Sequence, residues 1–359
     1  MAGEVLDEAQ RVGARILAGT GPQPYEIHGY RGYGNHQRVL VQGRALEARD
    51  IAPSRDIDSA IGNLINSYKR IGCAPIPNAR VRVMFGGAER ELQADNEGFF
   101  REWIQLAEPQ SADAWQRASL RLLSPLRVNQ PDVLASAEIR VPSERSAFGV
   151  ISDLDDTVIQ SRVSSVVQAA RTVVLGNSRT RLPFAGVASF YRALERGGDG
   201  ARENPIFYVS SSPWNLYDVI AEFLELRGIP AGPILLRDWD LNIASLESSH
   251  LRRHKEPLIR EILELYPALP FILIGDTSQH DPEIYRAITH EFRGRILAVY
   301  IRDVSANPQR SAAVHALAEE VTRGGSSLIL CDNTVAAAEH AATNGWIERD
   351  AVAAIRAES

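Results

Sequence analysis

The sequence predicts an α/β protein with two folded domains, an all-β domain followed by a parallel-sheet domain. Residues 25–145 contain short alternating strands separated by turns, a pattern typical of an antiparallel sandwich or small barrel. In residues 146–359, apolar strands alternate with helical patterns, which indicates a parallel sheet covered by helices. Residues 1–24 are predicted to form a lead helix and linker ahead of both domains.

The N-terminal part is predicted to be mostly strands. Residues 2–18 place apolar side chains on one face at helical spacing, so we expect an amphipathic helix that docks onto protein. The glycine- and tyrosine-rich segment 29–34 is interpreted as a turn, because no strand leads into it and no helix follows at the right spacing. A further helix is predicted at 57–68. The predicted strands are 38–46, 81–85, 89–94, 99–106, 115–123 and 137–141. No cluster of titratable groups accompanies these strands, so we expect a scaffold or recognition role.

The C-terminal part is predicted to alternate between strands and helices. The predicted strands are 148–152, 206–209, 233–236, 271–274, 296–301 and 328–330. The helical patterns lie around 163–173, 185–196, 214–228, 256–266, 282–289, 311–323 and 334–344. Polar side chains at the carboxyl ends of such strands would face the crevice in which open α/β sheets bind ligands.

The composition is that of an ordinary globular protein, with 45% hydrophobic and 23% charged residues in a chain of 359. The formal net charge of −6 excludes a global basic field, so no nucleic-acid partner is expected. Cys73 and Cys331 are too few for a disulfide framework or a zinc site. The first residues lack the basic and apolar regions of a signal peptide, so a cytoplasmic location is expected.

An acidic cluster follows the strand that begins the second half. Val150 and Ile151 lead directly into Asp153, Asp155 and Asp156. Adjacent carboxylates repel each other unless a cation or strong donors compensate them. Clustered hard oxygen ligands suit Mg²⁺, although an ordinary turn capped by aspartate side chains would explain the same residues.

Two later signals point to a phosphate site. The strand 206–209 delivers Ser210 and Ser211 to a helix start, where hydroxyls and free amides can cradle a phosphate; an ordinary serine cap is the alternative. Lys255 is predicted near another helix start. Only it and Lys69 are lysines among 39 basic residues, so a compact point charge is favoured at Lys255 over a merely solvated side chain.

A second acidic strand end completes the pattern. The strand 271–274 ends in Gly275-Asp-Thr-Ser-Gln-His-Asp281, which supplies two more aspartates. Together the four signals resemble the haloacid dehalogenase (HAD) superfamily of phosphohydrolases, whose domain has a Rossmann-like parallel sheet. The runs Ser152-Asp-Leu-Asp-Asp-Thr-Val158, Tyr208-Val-Ser-Ser-Ser-Pro-Trp214 and 275–285 resemble in particular the actin-patch type of Mg²⁺-dependent phosphatidate phosphatase.

The resemblance implies a role for each motif residue. Asp153 would attack phosphorus to form an aspartyl-phosphate, and Asp155 would act as general acid and then general base. Mg²⁺ would be held by Asp153, the backbone carbonyl of Asp155, Asp276 and Asp281. The phosphoryl oxygens would be bound by Ser210, Ser211, Lys255 and Thr157, and Thr157 would also fix the turn.

The sequence also bears on the substrate class. The interval between Leu236 and Lys255 is too short for a folded cap, and the larger interval from Val158 to Ile206 resembles one or two helices. An open crevice is therefore expected, which favours a phosphate on a large carrier such as a membrane phospholipid. Phosphatidate and peripheral membrane contact are therefore expected. Two alternatives stay open, a phosphatase for protein or nucleotide phosphates and a binding protein with a vestigial phosphatase domain. Four arginines could form an anion collar around the site or could lie on a solvated helix face: Arg162, Arg171, Arg179 and Arg181. Trp214 and Trp239 could enter a lipid interface or could be buried against the sheet.

Overall fold

The computed structural model describes residues 23–48, 73–106, 113–154, 157–158, 184–237, 248–304, 307–323 and 326–359. These residues form two compact units that divide between Val141 and Pro142. The helices predicted at 2–18, 57–68 and 163–173 lie outside the described residues, as do Asp155 and Asp156.

The described residues of the first unit form a single sheet of seven strands. They are β1 (Tyr25–Gly34), β2 (Arg38–Glu47), β3 (Arg80–Phe85), β4 (Ala88–Gln93), β5 (Phe99–Gln105), β6 (Trp115–Ser124) and β7 (Leu134–Arg140). The hydrogen-bonded order is β4-β3-β6-β7-β1-β2-β5, and the two end strands, β4 and β5, contact each other. The sheet is therefore nearly closed, so of the two predicted architectures it matches the small barrel. Alternate side chains from all around the sheet, among them Val41, Val81 and Leu120, fill its interior.

The interpretation of residues 29–34 as a turn is wrong, because these residues form the second half of β1. β1 pairs with β2 on one side and with β7 on the other. A Cβ atom on Gly29 would lie 2.3 Å from the carbonyl oxygen of Ser136, and one on Gly32 would lie 2.0 Å from that of Leu40. Glycine is required here because two neighbouring backbones approach closely.

The described part of the second unit contains a six-stranded sheet in which every neighbouring pair is parallel. Its strands are β8 (Gly149–Asp153), β9 (Ile206–Pro213), β10 (Ile234–Arg237), β11 (Phe271–Asp276), β12 (Ile296–Arg302) and β13 (Ser327–Cys331). Their order is β10-β9-β8-β11-β12-β13, so the chain runs outward in one direction from β8 and in the other from β11. The carboxyl ends of β8 and β11 thus flank the point where open α/β sheets bind ligands.

Seven α-helices of the second unit are described: α1 (Val187–Arg196), α2 (Tyr217–Leu226), α3 (Ser248–Leu265), α4 (Asp281–Glu291), α5 (Pro308–Arg323), α6 (Thr334–Thr343) and α7 (Ala351–Ala357). A short 3₁₀ helix, Trp214–Leu216, precedes α2. Every residue of β8 and β11 is buried, which explains why both strands read as continuous apolar runs up to their acidic ends.

Helix α3 differs from the prediction. It begins at Ser248, so Lys255 lies inside the helix rather than at its start. Pro257 also lies within α3. Proline lacks an amide hydrogen and favours the first turn of a helix. Residues 256 onward therefore resemble the start of a helix, which explains why the predicted start is too late.

Candidate active site

Three carboxylates meet at the carboxyl edge of the parallel sheet. Asp153 is the last residue of β8, Asp276 is the last residue of β11, and Asp281 is the first residue of α4. The parallel register aligns Ser152 with Ile274, so the two strands end side by side. One oxygen from each of the three carboxylates lies within 4.8 Å of the others, and all three residues are buried.

Lys255 reaches this cluster from α3. Its ammonium Nζ lies 2.8 Å from Asp153 Oδ1 and 2.8 Å from Asp281 Oδ1. Burial alone would lower the pKa of Lys255, but the charges of and hydrogen bonds to Asp153 and Asp281 raise it above its ordinary value. The side chain is therefore a fixed positive charge, held by two of the three aspartates.

Gly275 makes room for Asp281. A Cβ atom at position 275 would lie 2.6 Å from Asp281 Oδ2 and 2.8 Å from the ring of Tyr285. The backbone amide of Asp276 also donates to Asp281 Oδ2, at 3.4 Å. The absence of a side chain before Asp276 therefore lets the first turn of α4 close onto the end of β11.

Asp276 accepts hydrogen bonds from its own loop and from the loop after β8. Thr157 Oγ1 donates to Asp276 Oδ2 at 3.1 Å, and the amide of Ser278 donates to Asp276 Oδ1. Burial and then the charge of Asp281 raise the pKa of Asp276 from 3.8 to about 6, although these hydrogen bonds and Lys255 act in the opposite direction. In this structure the Thr157 hydroxyl is thus engaged with Asp276.

Ser210 and Ser211 lie near the end of β9, the strand next to β8. Val209 of β9 pairs with Asp153, so Ser210 follows one position beyond it at the same edge. Ser210 is buried, and its Oγ accepts a hydrogen bond of 3.0 Å from the amide of Ser212. The Ser211 Oγ is also buried, and it has no hydrogen-bond partner among the described residues. That oxygen is available to a ligand.

The structure therefore brings together four of the residues predicted from sequence around one centre, namely Asp153, Lys255, Asp276 and Asp281. Thr157 joins them through Asp276. Asp155 lies outside the described residues, as do the four candidate arginines and Trp239. Trp214 is buried and stacks on Tyr217, with ring centroids 6.0 Å apart, so it packs inside the unit.

Sequence reasoning missed two side chains that shape the site. The Tyr285 hydroxyl donates to the carbonyl oxygen of Ile274 at 2.9 Å, which fastens α4 to β11. Arg310 of α5 binds the loop that joins Asp276 to Asp281. Tyr285 ends the run 275–285, but the sequence pattern assigns no role to it. Arg310 stands in no local pattern, and 37 of the 39 basic residues in this chain are arginines, so no sequence signal marks Arg310.

The donor set suits a hard divalent cation. When ionised, these three carboxylates would exceed the single ammonium by two negative charges in a buried site, which is unfavourable without a further cation. Mg²⁺ prefers oxygen ligands of this kind. Asp153, Asp276 and Asp281 could therefore hold Mg²⁺.

The fold and site together define a class: a parallel α/β domain with a buried cluster of carboxylates at the point where the strand order reverses. Within this class, residues 148–303 match the family described as "Phosphatidate phosphatase APP1, catalytic domain". The matched segment contains Asp153, Ser210, Lys255, Asp276 and Asp281.

Two curated fungal proteins are similar over the same part of the chain. Phosphatidate phosphatase APP1 of Saccharomyces cerevisiae is 31% identical over 155 residues, which is 43% of this chain and 26% of that protein. An uncharacterized protein of Schizosaccharomyces pombe is 28% identical over 166 residues, 46% of this chain and 26% of that protein. The chain thus spans about a quarter of the length of these relatives.

The similarity of the chain to solved structures is low. A carbohydrate acetylesterase from Xanthomonas citri is 13% identical, over 81% of this chain and 73% of that one, with a TM-score of 0.25. So low a score supports no conclusion about the fold. Within the described part of the chain, no helix combines the length and the hydrophobicity that crossing a membrane requires.

Proposed function

We propose that the second unit is a Mg²⁺-dependent phosphomonoesterase of the HAD superfamily, and that its substrate is phosphatidate, which it converts to diacylglycerol and phosphate. The observation that carries the proposal is the convergence of Asp153, Asp276, Asp281 and Lys255 at the carboxyl edge of the sheet. The strand order matches that of Rossmann-type sheets, in which this edge binds phosphorylated ligands. The family match supports the choice of phosphatidate.

Asp153 is the nucleophile in this proposal. One of its carboxylate oxygens attacks phosphorus and the bond between phosphorus and the leaving alcohol oxygen breaks, which gives an aspartyl-phosphate. Asp155 donates a proton to the leaving oxygen and then accepts one from the attacking water. Attack of that water on phosphorus releases orthophosphate and regenerates the Asp153 carboxylate.

Lys255 has two tasks in the reaction. Its ammonium lies 2.8 Å from Asp153 Oδ1, so it holds the nucleophile in place. The same positive charge stabilises the negative charge on the phosphoryl oxygens in the transition state. The buried Ser211 Oγ, together with Ser210 at the end of β9, supplies neutral donors to those oxygens. Thr157 contributes by fixing Asp276.

The proposed ligands of the metal are oxygen atoms of the aspartates. Asp153, Asp276, Asp281 and the backbone carbonyl of Asp155 would hold Mg²⁺, which when bound neutralises charge so that two anions can approach each other. The raised pKa of Asp276 is consistent with a carboxylate that lacks sufficient positive charge around it.

Access to the site supports the choice of a lipid substrate. Only residues 238–247 separate β10 from α3, ten residues, which are too few for a folded cap. A site with no cap in this interval could reach a phosphate monoester at a membrane surface, so peripheral contact with the membrane is part of the proposal. Protein and nucleotide phosphates are the competing substrates.

Substitution of the nucleophile tests the enzymatic part. Asp153→Asn should lower Mg²⁺-dependent hydrolysis of p-nitrophenyl phosphate by more than about a thousandfold, with an unchanged circular dichroism spectrum. A chelator should abolish the wild-type activity, and added Mg²⁺ should restore it. Activity retained by the folded Asp153→Asn protein would refute the nucleophile assignment.

A substrate panel tests the lipid part. We expect kcat/KM for phosphatidate in mixed micelles to exceed that for phosphopeptides and nucleotides. If phosphatidate ranks with the inert compounds while a phosphopeptide or nucleotide is hydrolysed, the enzyme class stands and the lipid substrate is wrong.

A further inference from the structure

The loop between the two acidic residues of β11 and α4 is fastened by a residue from another helix. Arg310, in the first turn of α5, donates from Nε to the carbonyl oxygen of Thr277 at 3.2 Å. Its Nη2 donates to the carbonyl oxygen of Gln279 at 2.7 Å. Both carbonyls belong to the four residues that separate Asp276 from Asp281. A single guanidinium therefore holds the loop at two points.

The same guanidinium also holds the start of α4. Arg310 forms a two-pronged ion pair with Glu283, in which Nη2 lies 3.0 Å from Oε2 and Nη1 contacts Oε1. Glu283 is in the first turn of α4, two residues after Asp281. The planar fork of arginine can reach several acceptors at once, which the single ammonium of lysine cannot do in the same geometry.

A second set of hydrogen bonds supports the same loop. Thr277 Oγ1 donates to Asp303 Oδ1 at 3.0 Å and accepts from the amide of Val304 at 3.0 Å. Ser311, the residue after Arg310, donates from Oγ to Asp303 Oδ2 at 2.7 Å. The loop is thus tied to the segment between β12 and α5 by both backbone and side-chain contacts.

We propose that Arg310 is a positioning residue that sets the distance between the Asp276 and Asp281 carboxylates and thereby the affinity of the site for its divalent cation. Arg310 lies outside residues 148–303, the segment that matches the phosphatidate phosphatase family. The inference rests on the proposed metal-dependent function, since it assigns Arg310 a role toward that metal. Groups that orient metal ligands typically account for about 10–100-fold in metal affinity.

The loss of Arg310 would change the affinity for the cation in opposite directions, depending on whether Arg310 acts through its charge or by positioning the loop. A positive charge near the carboxylates repels a cation, so an Arg310 that acted only through its charge would weaken metal binding, and its removal would tighten it. The ion pair with Glu283 largely offsets that charge. If Arg310 positions the loop, its removal weakens metal binding.

The test measures Mn²⁺ binding directly, by electron paramagnetic resonance of free Mn²⁺ titrated with full-length protein. Arg310→Met removes the fork and the charge, whereas Arg310→Lys keeps the charge and removes the fork. The matched control is Arg286→Met, because Arg286 joins the same two helices through an exposed pair with Glu320, at 3.1 Å. Amide hydrogen exchange of the peptide that spans residues 277–281 reports the loop without any metal.

We expect both Arg310 variants to bind Mn²⁺ about tenfold or more weakly and to exchange the loop amides faster, with Arg286→Met within about twofold of wild type. The inference is overturned if the folded Arg310 variants bind Mn²⁺ as tightly as wild type or more tightly, or if Arg286→Met weakens binding equally. Wild-type protein that binds no Mn²⁺ at millimolar concentration would refute the proposed metal site, and this inference with it.

Discussion

Asp276 binds its proton more tightly than an aspartate in water, because burial and the nearby charge of Asp281 raise its pKa from 3.8 to about 6. In the metal-free protein the folded state therefore retains a proton that the unfolded state has already released between these two pH values. The contribution of Asp276 to the free energy of unfolding therefore decreases as pH rises from about 4 to 6.

The substitution Asp276→Asn tests whether the raised pKa of Asp276 has this effect on the free energy of unfolding. In the presence of a chelator, its free energy of unfolding relative to wild type should rise between about pH 4 and pH 6 and level off above it. The expected rise is about 3 kcal/mol, since one pKa unit corresponds to about 1.4 kcal/mol. Urea denaturation of both proteins at several pH values measures the difference. Parallel pH profiles for the two proteins would contradict the assigned pKa.

The residues of the centre could be predicted from sequence because each stands in a local pattern. Asp153 and Asp276 end apolar runs, and strands of a parallel sheet bring such ends together. Lys255 is conspicuous because lysine is rare in this chain. Arg310 could not be found in this way, because its partners are backbone carbonyls that lie 31 and 33 residues away in the sequence.

At the scale of elements, the close contact of β11 with α4 depends on Gly275. A methyl group at this position would lie 2.6 Å from Asp281 Oδ2 and 2.8 Å from Asp281 Cβ. Real side chains do not approach so closely, so α4 or the end of β11 must shift if position 275 carries a side chain.

Gly275→Ala should therefore lower activity by about a hundredfold, because a displacement on the order of 1 Å in a catalytic group has that effect. The overpacking should also destabilise the protein by about 1–3 kcal/mol. Gly345→Ala is the matched control for lost stability, since Gly345 has a φ of 73° and open space around it. Hydrolysis of p-nitrophenyl phosphate and thermal melts of both variants measure the two effects. Equal activity in the two variants would show that β11 and α4 do not need this contact.

Two elements show where local patterns fail. The glycines of β1 suggest a turn, whereas their role is to let the backbones of β2 and β7 come close, which depends on partners distant in sequence. The predicted start of α3 is too late because Pro257 resembles a first-turn proline. In both cases tertiary packing overrides a preference of the local sequence.

At the scale of the whole molecule, the alternation of apolar and polar residues along the strands could not predict that the first unit closes into a barrel. Strands of a sandwich and of a small barrel have the same period of two, and only the contact between the end strands β4 and β5 distinguishes them. The parallel sheet is better specified, because helices between buried strands leave few other topologies.

The buried charge of the acidic centre should make the stability of the second unit depend on the cation. Mg²⁺ at about a hundred times its dissociation constant should stabilise the folded state by about 2.7 kcal/mol, which corresponds to about 5–10 °C in Tm for a unit of this size. Differential scanning calorimetry with MgCl₂, compared with NaCl of equal ionic strength, measures this shift. An identical Tm in the two salts would contradict a specific cation site.

The most direct test of the account is to trap the covalent intermediate on Asp153. In Asp155→Asn the nitrophenolate of p-nitrophenyl phosphate leaves without protonation, but the attacking water lacks its general base. With Mg²⁺, this variant should release a burst of about one nitrophenolate per protein, and mass spectrometry after acid quench should find the phosphoryl group on Asp153. The absence of a burst in folded protein, or a phosphoryl group on another residue, would contradict the proposal that Asp153 is the nucleophile of a phosphatase.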